Sequence, residues 1–288
     1  MFSKILLCSD GSDHALQAAR VACEIATRFH SGLTLLSVFN PASVLGAFAM
    51  APEAAPSEEI VRAIGEDLHA GIQKSTGSLP DAAKVAYRFQ RETGHPVEAI
   101  IAAAAAVNAD LIVLGSRGLS EWKALLMGSV SDGVLHHAAC PVLIVRGAET
   151  SVAKILLACD GSAGAFLATR AAGELSSKFG APLTIVNVVE PLGPLANFVH
   201  DDPESVLHNA CEIAGTRVRG MALQADCAYS FHQEVGHPAE TIVRIATEGA
   251  YPLVVVGSRG MGVLKALALG SISNRIAHHA PCSVLVVR

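Results

Sequence analysis

Short apolar runs alternate with longer segments of helical period along the whole chain, the pattern of a parallel sheet covered by helices. In the first half the pattern predicts strands at about 3–9, 33–39, 84–90, 111–115 and 142–146 and helices near 13–30, 57–77, 96–108 and 129–138. Pro96 suits the first turn of its helix, where its missing N–H has no intrahelical partner to lose. In the second half strands are expected near 153–159, 182–189, 227–234, 253–257 and 283–287. Each half thus reads as one five-stranded parallel α/β unit, and the fold class as two such Rossmann-like units in tandem.

The two halves are copies. "KILLCSDGS" (4–12) returns as "KILLACDGS" (154–162), "GHPVEAI" (94–100) as "GHPAETI" (236–242), and "HHAACPVLIVR" (136–146) as "HHAPCSVLVVR" (278–288). The offset falls from 150 at the first pair to 142 at the others, so the second copy has lost eight residues. The loss is expected in the Pro/Ala-rich loop at 39–59, where length changes cost least. The junction lies near "GAETSVA" (147–153), giving domains 1–148 and 152–288.

Of the 288 residues, 51% are apolar and only 16% charged, so each half can bury a core, and with 5% aromatics that core is aliphatic. The net charge of −5 comes without a block of like charges, which argues against a nucleic-acid arm or a membrane-binding patch. Seven cysteines without a Cys-x-x-Cys read as small buried hydrophobes rather than a disulfide framework or zinc ribbon. The start "MFSKILLCSD" lacks the basic-then-apolar plan of a signal peptide, and "AIIAAAAAV" (99–107) is too short to cross a bilayer. A cytoplasmic protein is the expectation.

The candidate chemistry sits in "GSRGLSEWKALLMGSVS" (115–131) and its copy "GSRGMGVLKALALGSIS" (257–273), each directly after a buried strand. Ligands of open parallel sheets bind at the carboxyl ends of strands, where Gly115 and Gly257 fall. Gly128-Ser129 and Gly270-Ser271 stand where a new helix begins, so free backbone N–H groups and the hydroxyls of Ser129, Ser131, Ser271 and Ser273 offer donors to phosphate oxygens. Neither copy is a P-loop or a Gly-x-Gly-x-x-Gly dinucleotide fingerprint. The spacing is Gly-x2-Gly-x9-Gly-Ser-x-Ser in both.

That doubled pattern resembles the ATP-binding motif of the universal stress protein family, in its two-domain branch. The resemblance covers essentially the whole chain, since each half also carries the "DGS" after the first strand and the closing "HA-x-C-x-VL-x-VR". It implies strand order 3-2-1-4-5 and the related adenine-nucleotide-hydrolase-like fold. It also implies that Asp10 and Asp160 contact adenine or ribose, and that Val38 and Val188 meet adenine through backbone groups. Gly115, Gly118, Gly128, Ser129 and Ser131 would hold ribose and phosphates in one domain, Gly257, Gly260, Gly270, Ser271 and Ser273 in the other. The implied ligand is ATP, with ADP or AMP as alternatives and Mg²⁺ held mainly by the phosphates. The apolar last strands would pair within one chain as a pseudo-dimer; further association into a homodimer is left open.

Other repeated residues have plainer readings beside their functional ones. Arg117, Arg259, Lys123 and Lys265 could cover phosphate charge or be solvated loop cations. His136, His137 and Cys140, with His278, His279 and Cys282, could suggest a metal site, but a His and a Cys four apart would need the helix to continue through Pro141 or Pro281 and have no evident third ligand, and histidines near a helix C-terminus suit its dipole; no metal site is expected. His95 and His237, before proline, read as turn or capping residues. No nucleophile and base are tied to the cradle, so the expectation is a nucleotide-binding stress or signalling protein. A slow ATPase or adenylyl-transferring enzyme and an interaction scaffold are the alternatives.

Overall fold

The computed structural model describes residues 1–50, 52–79, 81–118, 127–147, 151–191, 203–260 and 269–288. The chain divides into two compact units, Phe2–Ala148 and Glu149–Arg288. The first contains β1 (Lys4–Cys8), α1 (Asp13–Phe29), β2 (Gly32–Phe39), a short α2 (Pro41–Leu45), α3 (Glu58–Gly77), β3 (Tyr87–Thr93), α4 (Pro96–Val107), β4 (Leu111–Gly115), α5 (Ser129–His137) and β5 (Val142–Val145). Its strand order is β3-β2-β1-β4-β5, and neighbouring strands run parallel. The second contains β6 (Ile155–Ala158), α6 (Ala163–Phe179), β7 (Leu183–Val189), α7 (Pro203–Ala222), β8 (Tyr229–Val235), α8 (Pro238–Glu248), β9 (Leu253–Gly257), α9 (Ser271–His279) and β10 (Ser283–Val287). Its order, β8-β7-β6-β9-β10, is the same, again parallel.

The central strands are apolar throughout because helices cover both faces. Every residue of β4 and β9 is buried. Helix α1 lies close to the sheet because its inner face is small: Ala15, Ala18, Ala19 and Ala22 are all buried. It opens with Ser12 as N-cap, whose hydroxyl accepts from Ala15 N, and it closes on His30 in the left-handed region. Proline occupies the first turn of α4 and of α8. His95 and His237 stand at the N-cap positions of those helices but make no side-chain capping bond, so their capping role is positional only.

Two sequence expectations shift. The strand expected at 84–90 lies at Tyr87–Thr93, because Ala82–Lys84 forms a tight 3₁₀ turn and β3 is placed by its partner, Leu33 opposite Tyr87 through Phe39 opposite Thr93. Its half-exposed, amphipathic sequence carries little information about its ends. The eight-residue deficit of the second copy is not confined to the 39–59 loop: nine residues (78–86) join α3 to β3, whereas six (223–228) join α7 to β8. Among the described residues no helix is long and apolar enough to cross a membrane.

Candidate functional site

The order of strands reverses direction between β1 and β4 in the first unit and between β6 and β9 in the second. Such a switch point opens a crevice at the carboxyl ends of the strands. Asp10 and Asp160 follow β1 and β6 at that end. Asp10 Oδ1 accepts from Ser12 N (3.1 Å) and Ser12 Oγ (2.7 Å), while Asp160 Oδ1 accepts from Ser162 N (2.9 Å). In the second unit the Ser162 hydroxyl instead donates to the carbonyl of Arg259 (3.1 Å). The turn glycines between, Gly11 and Gly161, have φ of +82° and +79°, the left-handed region that favours glycine.

The motif glycines separate into two kinds. A β-carbon on Gly115 would lie 2.7 Å from the backbone of His14, and one on Gly257 would lie 2.6 Å from that of Gly164. These two let the strand end touch the start of α1 or α6. A β-carbon on Gly118 would lie 2.4 Å from Asp10 Oδ2, and one on Gly260 would lie 2.6 Å from Asp160 Oδ2. The fold itself therefore requires glycine at Gly115 and Gly257, where backbone stands in the way, whereas at Gly118 and Gly260 the atom in the way is the tip of an aspartate side chain. Gly128 differs: its φ of −67° suits any residue, and an added β-carbon would meet nothing closer than 3.5 Å. Gly270 repeats it at φ −67°, with Ser258 O at 3.2 Å.

Gly128 and Gly270 are the N-cap residues of α5 and α9, and neither makes a side-chain cap. Ser, Asp or Asn at an N-cap typically contributes about 1 kcal/mol over a non-capping residue. Here that capping group is missing from both copies, and the first amides of each helix have no intrahelical acceptor. The loop is instead closed by the backbone, Gly128 N donating to Ser116 O and Gly270 N to Ser258 O, each at 2.8 Å. Ser129 and Ser271 are exposed at the first helical position.

Ser131 and Ser273 face inward. Each is 4% exposed, and its hydroxyl donates inward, Ser131 Oγ to Gly115 O (2.7 Å) and Ser273 Oγ to Gly257 O (2.6 Å). Their donor hydrogens tie the helix start to the strand end. Ser116 and Ser258, whose carbonyls close the loop, stand outside the Gly-x2-Gly-x9-Gly-Ser-x-Ser spacing; their presence in both copies of "GSRG" is the signal for them.

Val38 and Val188 sit near the ends of β2 and β7, half-buried and opposite Glu92 and Glu234. Ser9 N donates to Leu36 O and Cys159 N to Val186 O, at 3.0 and 2.9 Å. Backbone groups of alternate residues point to the same side of a strand. The N–H and C=O of Val38 and Val188 therefore point past the ends of β1 and β6, and among the described residues neither pair is bonded across that gap. Each crevice thus joins a carboxylate, a strand edge with one donor and one acceptor, and a helix start with unfilled amides.

Arg117 is half-buried and Arg259 exposed beside these loops, whereas Lys123 and Lys265 lie outside the described residues. His136 Nδ1 is 2.8 Å from Asp132 O, and His137 Nδ1 is 2.7 Å from Gly133 O, so both rings are engaged by their own helix. No three His, Cys, Asp or Glu side chains among the described residues converge on a metal position. Burial pushes the Cys23 thiol up to about 11 and raises those of Cys8 and Cys159 as well, the behaviour of inert core thiols.

Residues 1–146 and 152–288 each match the model of the universal stress protein family. A universal stress protein of Mycolicibacterium smegmatis is 28% identical over 296 aligned residues, covering 99% of this chain and 96% of its own. One from Mycobacterium tuberculosis is 30% identical over 225, covering 73% of this chain and 75% of its own. The crystal structure of a universal stress protein from Archaeoglobus fulgidus matches with a TM-score of 0.68 at 24% identity, over 100% of this chain and 99% of that one. At that identity the match bears on the fold.

Proposed function

Because the chain belongs to the universal stress protein family, with both halves matching the family model, we propose that it is a nucleotide-dependent stress or signalling protein that binds ATP at one site in each domain. The observation that carries the reading is the uncapped glycine at the start of α5 and of α9. At Gly128 nothing in the fold requires glycine, although at Gly270 an added β-carbon would press on Ser258 O at 3.2 Å; a phosphate against the first helical amides would both satisfy those donors and occupy the space a side chain would take. Gly128, Ser129 and the amides after them would hold the phosphates in the first domain, Gly270, Ser271 and theirs in the second. Val38 and Val188 would offer N–H and C=O to the adenine edge, and Asp10 and Asp160 would face the ribose or base. Gly115, Gly118, Ser131 and their counterparts Gly257, Gly260 and Ser273 hold the crevice in shape. ADP and AMP would use the same adenine and ribose contacts with fewer phosphate bonds. Mg²⁺ would be carried in by the phosphates.

We read the sites as holding nucleotide rather than turning it over. The hydroxyls of Ser131 and Ser273 are committed to backbone carbonyls, Asp10 Oδ1 is engaged by Ser12, and no nucleophile–base pair lies at either helix start among the described residues. The last strands, "VLIV" and "SVLVV", are proposed to pair the two domains within one chain. Separately produced halves that fail to associate, or whose association survives a lysine placed in either strand, would remove that part.

The decisive measurement is calorimetric titration of the nucleotide-free protein with ATP and Mg²⁺, followed by chromatography of the mixture over hours. Two equivalents bound and ATP recovered intact is the expected result. No saturable binding of ATP, ADP or AMP would overturn the proposal, and multiple turnovers would replace holding with hydrolysis.

A further inference from the structure

The first domain has a cavity at a place where the second has side chains bonded to one another. It measures about 600 Å³, well within the range of small-molecule sites. It lies at the carboxyl ends of β2 and β3 against α3, beside Pro41, Leu45 and Pro56 of the connection between β2 and α3. Phe39, Pro41, Leu45, Pro56 and Val61 supply an apolar wall, and His69 and Arg91 add polar groups. No residue assigned above to the nucleotide site lines it.

The cavity is built rather than accidental. Gly65 lets the Phe39 ring press on α3, since a β-carbon there would lie 2.7 Å from Phe39 Cδ1. His69 is 5% exposed and shares a 2.7 Å hydrogen bond through Nδ1 with the wholly buried Ser37. Nε2 is the ring nitrogen left for a ligand. Arg91 is exposed, has no ion-pair partner among the described residues, and lies 5.5 Å from the centroid of the Phe89 ring. Arg62, by contrast, is 4.0 Å from Glu66.

The repeat places Asn187 where the first domain has Ser37, and Gln233 where it has Arg91. Gln233 Nε2 donates to Asn187 Oδ1 (2.8 Å) and to Cys211 O (2.9 Å), and Asn187 Nδ2 donates to Cys159 O (2.9 Å). That network ties β7, β8 and α7 together. The first domain has no equivalent network among its described residues: His69 turns to Ser37 and a guanidinium stands unpaired.

We propose that this cavity binds a small amphipathic organic anion, a carboxylate carried on an aromatic or branched apolar body. Arg91 would take the carboxylate through its two-pronged guanidinium, His69 Nε2 would contact the polar end, and the apolar body would lie against Phe39 and the prolines. A cation would meet Arg62 and Arg91, and a doubly charged phosphate would meet Glu58 and Glu66, which share the lining. An uncharged ligand would leave Arg91 without its complement.

The test is calorimetric titration of the full chain with phenylacetate, with phenylacetamide as the uncharged isostere, each with and without saturating ATP. One saturable phenylacetate site per chain is expected, with the amide weaker by about tenfold, the order of a charge-assisted pair. Arg91→Gln should weaken the acid by a similar factor and leave the amide unchanged. Leu45→Trp, at a position already 44% exposed, should block both, with the unaltered melting temperature confirming the fold. The ring signals of His69 should shift on adding the acid. The Gly128→Val/Gly270→Val double variant, which removes the nucleotide sites, should still bind phenylacetate. Absence of saturable binding, equal acid affinity in the wild type and Arg91→Gln, or displacement of the acid by ATP would each overturn the assignment.

Discussion

Among the described residues the two cradles repeat the same backbone contacts, Gly128 N to Ser116 O and Gly270 N to Ser258 O, but their sequences differ in charge. From 115 to 133 the first carries Arg117 and Lys123 against Glu121 and Asp132, which cancel; from 257 to 275 the second carries Arg259, Lys265 and Arg275 with no acid. Asn274 stands where the first copy has Asp132, and Arg275 where it has Gly133. Asp132 lies in the first turn of α5, near the amides proposed to meet phosphate, and is 3.3 Å from His136 Nδ1. Identical donors in different fields should bind the same polyphosphate unequally, because each charge at a partly solvated site contributes on the order of 1 kcal/mol. The second domain should be the tighter site.

The largest effect is expected from Gly128→Val or Gly270→Val. Each should lower ATP stoichiometry from two to one, with at least about a hundredfold loss at its own site, because the branched side chain stands where phosphate would. Comparable stoichiometry in either variant would mean that the helix starts are not the sites. Next in size are Ser131→Ala and Ser273→Ala. Each leaves a buried glycine carbonyl without its donor, a cost of about 1–3 kcal/mol. Urea unfolding should register that loss with the fold intact, and ATP should restore part of it by binding the native state alone. A variant with unchanged stability would show that the inward bonds do not hold the cradle.

Exchanging the acid of one cradle for the amide of the other has a smaller effect. Asp132→Asn should tighten the first site about threefold to tenfold, and Asn274→Asp should loosen the second by a similar factor. Both effects should shrink as salt rises, since these groups are partly exposed. If the exchange leaves the two affinities in place, the Asp132/Asn274 difference does not set them, and Arg275→Gly becomes the next exchange to measure.

The layout of strands and helices was legible because the period-two and period-3.6 signals were strong and written twice. The motif was legible for the same reason: the spacing of Gly115, Gly118 and Gly128 recurs at Gly257, Gly260 and Gly270. What each residue does within the motif was not. Spacing places a glycine but does not say what approaches it, and here His14, Gly164, Asp10 and Asp160 approach four of the six. Ser131 and Ser273 looked like ligand donors because a hydroxyl near a helix start often is one, yet the strand end lies close enough to take their hydrogens. The cavity of the first domain was hidden because it depends on Ser37, His69 and Arg91, which are far apart in sequence. Its edge strand, β3, was also the one whose limits were misplaced.

His69 supplies the smallest effect and separates the domains by pH. Burial holds its affinity for a proton below the ordinary imidazole value of 6.5, and the positive charge of Arg91 on β3 lowers it further. Ser37 faces it from β2, while Glu58, Arg62 and Glu66 lie on its own helix. The unfolded chain therefore takes up a proton near pH 6.5 while the folded chain does not until lower pH. In that window the unfolded state binds more protons, so stability rises with pH. The contribution is fully present above the unfolded value and is lost as pH falls from there toward the lowered value. One proton limits the slope to about 1.4 kcal/mol per pH unit. In His69→Gln that slope should vanish from the unfolding of the first domain. The second domain, with its Asn187–Gln233 network, should show no counterpart. Arg91→Gln should move the His69 ring titration upward in nuclear magnetic resonance spectra of the full chain, and a wild-type ring that titrates at its ordinary value would remove both expectations at once.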